Sequence, residues 1–149
     1  MKQIAYVMQF IGQATPDGPA ANLIRVSSRA ASCRITSVVG PGGVQGRVET
    51  LAGGEAVFDS EVRPASETAF DEVGSIAFGD AADRVHFSTV GSGCMGPSAD
   101  PALKQGCVSW RIDRGEGRLS GASGFITSNF TLGARGEVTD TQVGVIFLP

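Results

Sequence analysis

The chain of 149 residues has one histidine, one tryptophan, one tyrosine and three cysteines. Each shortage closes a class of chemistry. With His86 alone, a histidine-rich zinc site cannot form within one chain. Cys33, Cys94 and Cys107 contain no C-x-x-C pair, so a cysteine metal site lacks its spacing, and an odd count rules out a complete disulfide framework. Serines are plentiful, but no G-x-S-x-G elbow presents one as a nucleophile. Gly91-Ser92-Gly93 and Gly115-Glu116-Gly117 lack the lysine and the helix that a phosphate loop requires, so turns explain both. We expect no metal and no organic cofactor.

Charge is scarce as well. Asp, Glu, Lys and Arg make up 18% of the chain, below the usual quarter, and the net charge of −3 comes from scattered residues of both signs. No basic stripe is present to attract nucleic acid or anionic lipid, so neither partner is expected. No apolar run reaches the length of a membrane-spanning helix. The run from Met1 to Ile11 is interrupted by Gln3 and Gln9 and is not followed by a small-residue cleavage site, which points to the cytoplasm.

Glycine is abundant, at 21 residues. Short alternating segments between glycine-rich breaks read as strands: Ile4 to Ile11, Leu23 to Ser27, Arg34 to Val39, Thr68 to Phe78, Arg84 to Val90, Gly106 to Asp113, Phe125 to Leu132 and Glu137 to Leu148. Gln45 to Leu51 and Ala56 to Val62 flank Ala52-Gly53-Gly54-Glu55, which reads as a hairpin turn. Gly133-Ala134-Arg135-Gly136 reads as another. Ala20 to Ala31 is ambiguous between a helical turn and a strand. Gly91 to Gln105 is the one long irregular stretch, of the kind that often carries function, here as a cover over a mouth. The pattern predicts an all-β, single-domain chain spanning residues 1–149, and a barrel would remove exposed sheet edges.

Gly115-Glu116-Gly117-Arg118-Leu119-Ser120-Gly121-Ala122-Ser123-Gly124 resembles the G-x-G-x-[FY]-x-G-A-x-G signature of small barrels related to allene oxide cyclase and plant dirigent proteins. Leu119 stands where that signature usually has an aromatic. The resemblance covers about ten residues, and its matched positions are structural glycines, so it transfers no catalytic residue. It implies a single antiparallel up-and-down barrel of about eight strands, calycin-type, with an apolar lumen. In several branches such a lumen shapes the cyclisation of a small hydrophobic substrate.

Three functions share this pattern. The first is a cofactor-independent cyclase or isomerase for a polyene- or polyketide-like substrate in natural-product biosynthesis, working largely by holding a reactive fold. The second is a carrier for a small hydrophobic ligand, and the third is a structural, oligomer-forming barrel. Tyr6, His86 and Asn129 are the polar candidates for orienting or polarising a carbonyl. Trp110, Phe87, Phe78, Phe125 and Met95 are the candidate substrate walls. Tyr6 and Trp110 equally suit core filling, and His86 equally suits a half-exposed strand position. The carboxylates are dispersed: Asp71-Glu72 and the pair Glu137 and Asp140 have opposite parities, so solvated positions are their expected places. Cys94 and Cys107 flank the long stretch and would bridge it only under oxidising conditions; three free thiols are expected. Apolar residues on both parities of several strands predict a homodimer or homotrimer.

Overall fold

A computed structural model describes residues 1–19 and 22–149. Among the described residues nine strands form one antiparallel sheet: β1 (Lys2–Pro16), β2 (Ile24–Gly40), β3 (Gly43–Pro64), β4 (Ala69–Phe78), β5 (Arg84–Thr89), β6 (Gly93–Pro97), β7 (Leu103–Glu116), β8 (Ser123–Gly133) and β9 (Glu137–Leu148). The spatial order runs β3-β2-β1-β9-β8-β7. Strands β5 and β6 both pair with β7 and with β4, and β4 pairs back onto β3, so the sheet closes into a ring. Among the described residues no helix is long and apolar enough to cross a membrane. Of the ambiguous segment, Ala20 and Ala21 lie outside the described residues, and Ile24 onward is strand.

The interior follows from strand parity. Phe10, Ala30, Phe58, Ile76, Val85, Phe87, Val108, Trp110, Ile112, Ile126 and Ile146 point inward and are buried, while most of their neighbours in sequence are more exposed; Ala77, beside Ile76, is buried as well. In β9 the inward set is Val138, Asp140, Gln142, Gly144 and Ile146. Two of its central members are therefore polar. One end of the interior is filled by Leu119 and Ala122, from the connection that bears the glycine signature. Arg118 lies in a single 3-10 turn, Gly117–Leu119. Gly117 there has φ +62°, and a Cβ on Gly115 would strike the Leu119 carbonyl oxygen. The turn is tied to the β4–β5 connection, because Asp83 accepts the Arg118 backbone N–H at 2.8 Å and its Nε–H at 2.6 Å.

Three sequence expectations are corrected. Ala52 to Glu55 is not a hairpin turn. Residue pairing steps from Ala31↔Glu55 to Cys33↔Thr50, so Leu51 to Gly54 form a large bulge within β3, and the Ser32 hydroxyl donates to the Gly54 carbonyl at 2.7 Å. The segments read separately as Leu23 to Ser27 and Arg34 to Val39 are one strand, as are Gln45 to Leu51 and Ala56 to Val62. The turn between the two strands lies at Gly40 to Gly43. Nor is Gly91 to Gln105 irregular throughout: β6 occupies Gly93–Pro97 and β7 begins at Leu103.

Candidate functional site

An aromatic stack forms the interior wall. The Trp110 and Phe87 rings lie 4.5 Å apart between centroids, Phe58 sits 5.5 Å from each, and Phe10 closes edge-on against Phe58 at 6.0 Å. Strands β3, β5 and β7 supply the stack because each places an aromatic on its inward parity. Beside it is a cavity of about 100 Å³, lined by Phe58, Phe70, Trp110, Phe130, Met95 and Val138 among others. Its rim includes Ile24, Leu132 and the β3–β4 connection around Ser66 to Thr68.

Two carboxyl groups, Glu72 from β4 and Asp140 from β9, open into this apolar space. Both are buried. The Ser60 hydroxyl donates to Glu72 at 2.6 Å. Thr89 clamps the Glu72 backbone, its hydroxyl accepting the N–H at 2.7 Å and donating to the carbonyl at 2.8 Å. Asp140 accepts from the Ser128 hydroxyl at 2.6 Å and from the Gln142 amide at 2.8 Å. Burial pushes Glu72 up to about 7, with the Asp140 charge adding to the rise and the Ser60 hydroxyl and Trp110 indole opposing it. Burial likewise pushes Asp140 up to about 6, against its Ser128 and Gln142 hydrogen bonds. The Trp110 N–H favours the Glu72 carboxylate electrostatically, yet it makes no full hydrogen bond. The Tyr6 hydroxyl and the Gln142 carbonyl are also buried without a partner. Of these three only Trp110 lines the cavity, where an unpaired polar atom costs stability and marks where a ligand group or water would be held.

The sequence candidates fall into two groups. Trp110 and Met95 line the cavity, and Phe87 backs Trp110 from within the stack. Tyr6 is inward too, packed against Phe78 at 5.4 Å. Its hydroxyl is held well above the ordinary phenol value by burial and, secondarily, by Asp140. Neither Tyr6 nor Phe78 lines the cavity. The remaining three face outward and are corrected here. Phe125 is 56% exposed. Asn129 is exposed on the outer wall opposite Cys107. His86 lies on the outward parity of β5, where Nε2 meets the Glu116 carboxylate at 2.8 Å. Val85 and Phe87 are both buried, so ordinary alternation along β5 turns the intervening imidazole outward.

The two carboxyls that reach the cavity are the ones expected to be solvated. The parity argument does hold, since Asp71 and Glu137 are exposed and Glu72 and Asp140 buried. The available signal was Glu72 and Asp140 sharing parity with the core residues Phe70, Ile76 and Ile146. Among the described residues no three His, Cys, Asp or Glu side chains come together as a metal site.

Cys94 and Cys107 are cross-strand partners on β6 and β7, with their sulfurs 3.3 Å apart and both residues exposed. Their hydrogen bond raises the Cys107 thiol above its usual value. Reduced protein should titrate three thiols after denaturation. A low-molecular-weight disulfide should remove two of them by exchange, leaving Cys33 free. Loss of one or none would show that the pair does not close.

No family model matches the chain, and no curated protein or solved structure matches it.

Proposed function

We propose that this chain is a cofactor-independent cyclase or isomerase whose reaction takes place inside the closed sheet. We read that sheet as an eight-position up-and-down barrel of the allene oxide cyclase type, with β5 and β6 sharing one position, in a cytoplasmic protein. The observation that carries the reading is the pair of buried carboxyls, Glu72 and Asp140, at the edge of an aromatic-walled cavity, with Glu72 raised to about 7 and Asp140 to about 6. A carboxyl with a pKa near neutrality is suited to general acid catalysis, because it holds a proton at working pH and gives it up readily. Glu72 would donate to an oxygen of a bound carbonyl or epoxide. Asp140 would stabilise the positive charge that develops, or take back a proton as the ring or double bond forms. The stack of Trp110, Phe58 and Phe87 would hold the carbon chain in a reactive fold. A cavity of about 100 Å³ accepts only one end of such a substrate, so the remainder would lie at the rim against Ile24, Leu132 and Met95.

Trp110 is the only tryptophan, so its fluorescence reports occupancy of the cavity directly. The test is a panel of small polyenes carrying an epoxide or a carbonyl, scored for quenching and for product. Turnover should fall by about a hundredfold or more in Glu72→Gln with quenching retained, whereas His86→Ala, on the outer wall, should stay within about tenfold of the unaltered chain. Quenching without product would make the protein a carrier. Neither signal would mean that the interior is simply core. A large loss in His86→Ala would move the chemistry to the outer face.

A further inference from the structure

The outer wall at β6 and β7 carries two thiols that the reaction proposed above does not use. Cys94 and Cys107 stand directly opposite each other, both exposed, with their sulfurs 3.3 Å apart. Residues paired in this way lie about 4.5–5.5 Å apart at Cα, inside the span of a disulfide, so a bond can close with little movement of either strand. The inner surface of the same wall belongs to the cavity. Alternation turns Met95 inward beside Cys94, and it lines that space. Gly93 and Gly106 share its inward parity and lie beneath two rings: a Cβ on Gly93 would strike Phe70, and one on Gly106 would strike Phe130. Both rings line the cavity and meet edge-on at 5.9 Å.

Among the described residues β6 is the shortest strand, with five residues. It meets β4 over only two residue pairs, Ala69↔Cys94 and Phe70↔Gly93, and the Met95 N–H donates to the Thr68 carbonyl at 2.8 Å. Its other edge is held by four pairs with β7. So short a piece, with so few partners, opens at a lower cost than the long strands around it. When it does, Met95 leaves the wall and the Thr68 end of the rim loses its tie.

We propose that Cys94 and Cys107 form a redox clamp on the cavity: as a dithiol they let β6 part from β7 and admit molecules past Met95, and as a disulfide they hold that wall shut. The oxidant is a low-molecular-weight disulfide of the glutathione type. The Cys94 thiolate attacks one of its sulfurs, forming a mixed disulfide and releasing one small thiol. Cys107 then loses its proton to water and attacks the Cys94 sulfur, closing the protein disulfide and releasing the second small thiol. Two protein thiols are oxidised and one small disulfide is reduced to two thiols, so no other oxidant is needed. Cys94 leads because the hydrogen bond between the pair raises the Cys107 thiol above its usual value. The exposure of both residues makes the bridge easily reduced, as a reversible device requires. The clamp acts on access to the cavity and is independent of the chemistry proposed inside it.

The test is acrylamide quenching of Trp110, the only tryptophan and a cavity-wall residue 1% exposed, followed by fluorescence lifetime on the full chain. Protein treated with oxidised glutathione should lose two thiols and no more. Its quenching constant should fall by about threefold or more, and dithiothreitol should restore both. Cys33→Ser should keep this response. Cys94→Ser combined with Cys107→Ser should fold normally, since both sites are exposed, and should be quenched like the reduced chain under either treatment. Two thiols lost with quenching unchanged would leave a bridge that does not gate the cavity, and overturns the proposal. So does a glutathione adduct without a bridge, a chain that keeps all three thiols, or a response that survives in the double variant.

Discussion

Glu72→Gln should make the folded chain more stable above neutrality, although it removes a charged group with a hydrogen-bond partner. A carboxyl whose pKa is higher in the folded than in the unfolded chain binds its proton more tightly when folded, so acid favours folding. Glu72 stands at about 7 and Asp140 at about 6, both above ordinary carboxyl values. Their favourable contribution is whole below about pH 4, fades as pH rises through those two values, and is gone above about pH 8. The groups facing Glu72 are Ser60, Asp140 and Trp110, and none supplies a compensating positive charge. Asp83 and Glu137 are shifted downward, by Arg118 and chiefly by backbone hydrogen bonding respectively. They act at more acidic pH and leave the window between about pH 5 and about pH 8 to the buried pair. Glutamine cannot ionise, so the variant should gain about 1–3 kcal/mol at about pH 8 and little or nothing at about pH 5. Urea unfolding at the two pH values reads this directly. Unaltered protein that is more stable at the higher pH, or a variant destabilised there, would show that Glu72 is not held protonated. A gain would be what a functional site predicts, since such groups are kept at the expense of stability.

Trp110→Ala should have the largest destabilising effect. The residue is 1% exposed and contacts both Phe58 and Phe87 in the stack. Deleting a buried aromatic of this size costs about 3–5 kcal/mol, a large part of the total stability of an ordinary domain. The removed ring is also the cavity wall, so ligand affinity should fall with it. Because the change deletes the only tryptophan, unfolding must be followed by circular dichroism. Trp110→Phe separates two roles: it keeps a ring in the stack but removes the indole N–H that favours the Glu72 carboxylate. The phenylalanine variant should fold well, and its midpoint for the loss of stability with pH should move upward. If Trp110→Ala unfolds no more easily than the unaltered protein, the stack is not the core. An unmoved midpoint in Trp110→Phe would separate the indole from Glu72.

Much of the fold is legible in the sequence. Val85, Phe87 and the run Val108, Trp110, Ile112 alternate as half-buried strands must, and the loop Gly133 to Gly136 joins β8 to β9 as its turn residues suggest. Boundaries failed where a glycine cluster had two readings. Gly53-Gly54 permits a turn or a bulge equally, and the choice depends on whether Ser32 and the facing strand are present to receive it. Strand β6 was hidden because its five residues, Gly93–Pro97, have no alternation to detect.

The site was legible only in part, for a related reason. Sequence by itself determined that this is an all-β chain, which residues of each strand share a face, and that Glu72 and Asp140 stand opposite in parity to Asp71 and Glu137. Alternation is a local property and needs no neighbour. Tertiary structure alone decided which face is inward when polar and apolar residues are mixed, as in β9. It also decided that β4 and β9 bring their carboxyls into one cavity, and that His86, Asn129 and Phe125 lie outside. Those outcomes depend on ring closure and on register, which is set by pairing between strands far apart in the chain.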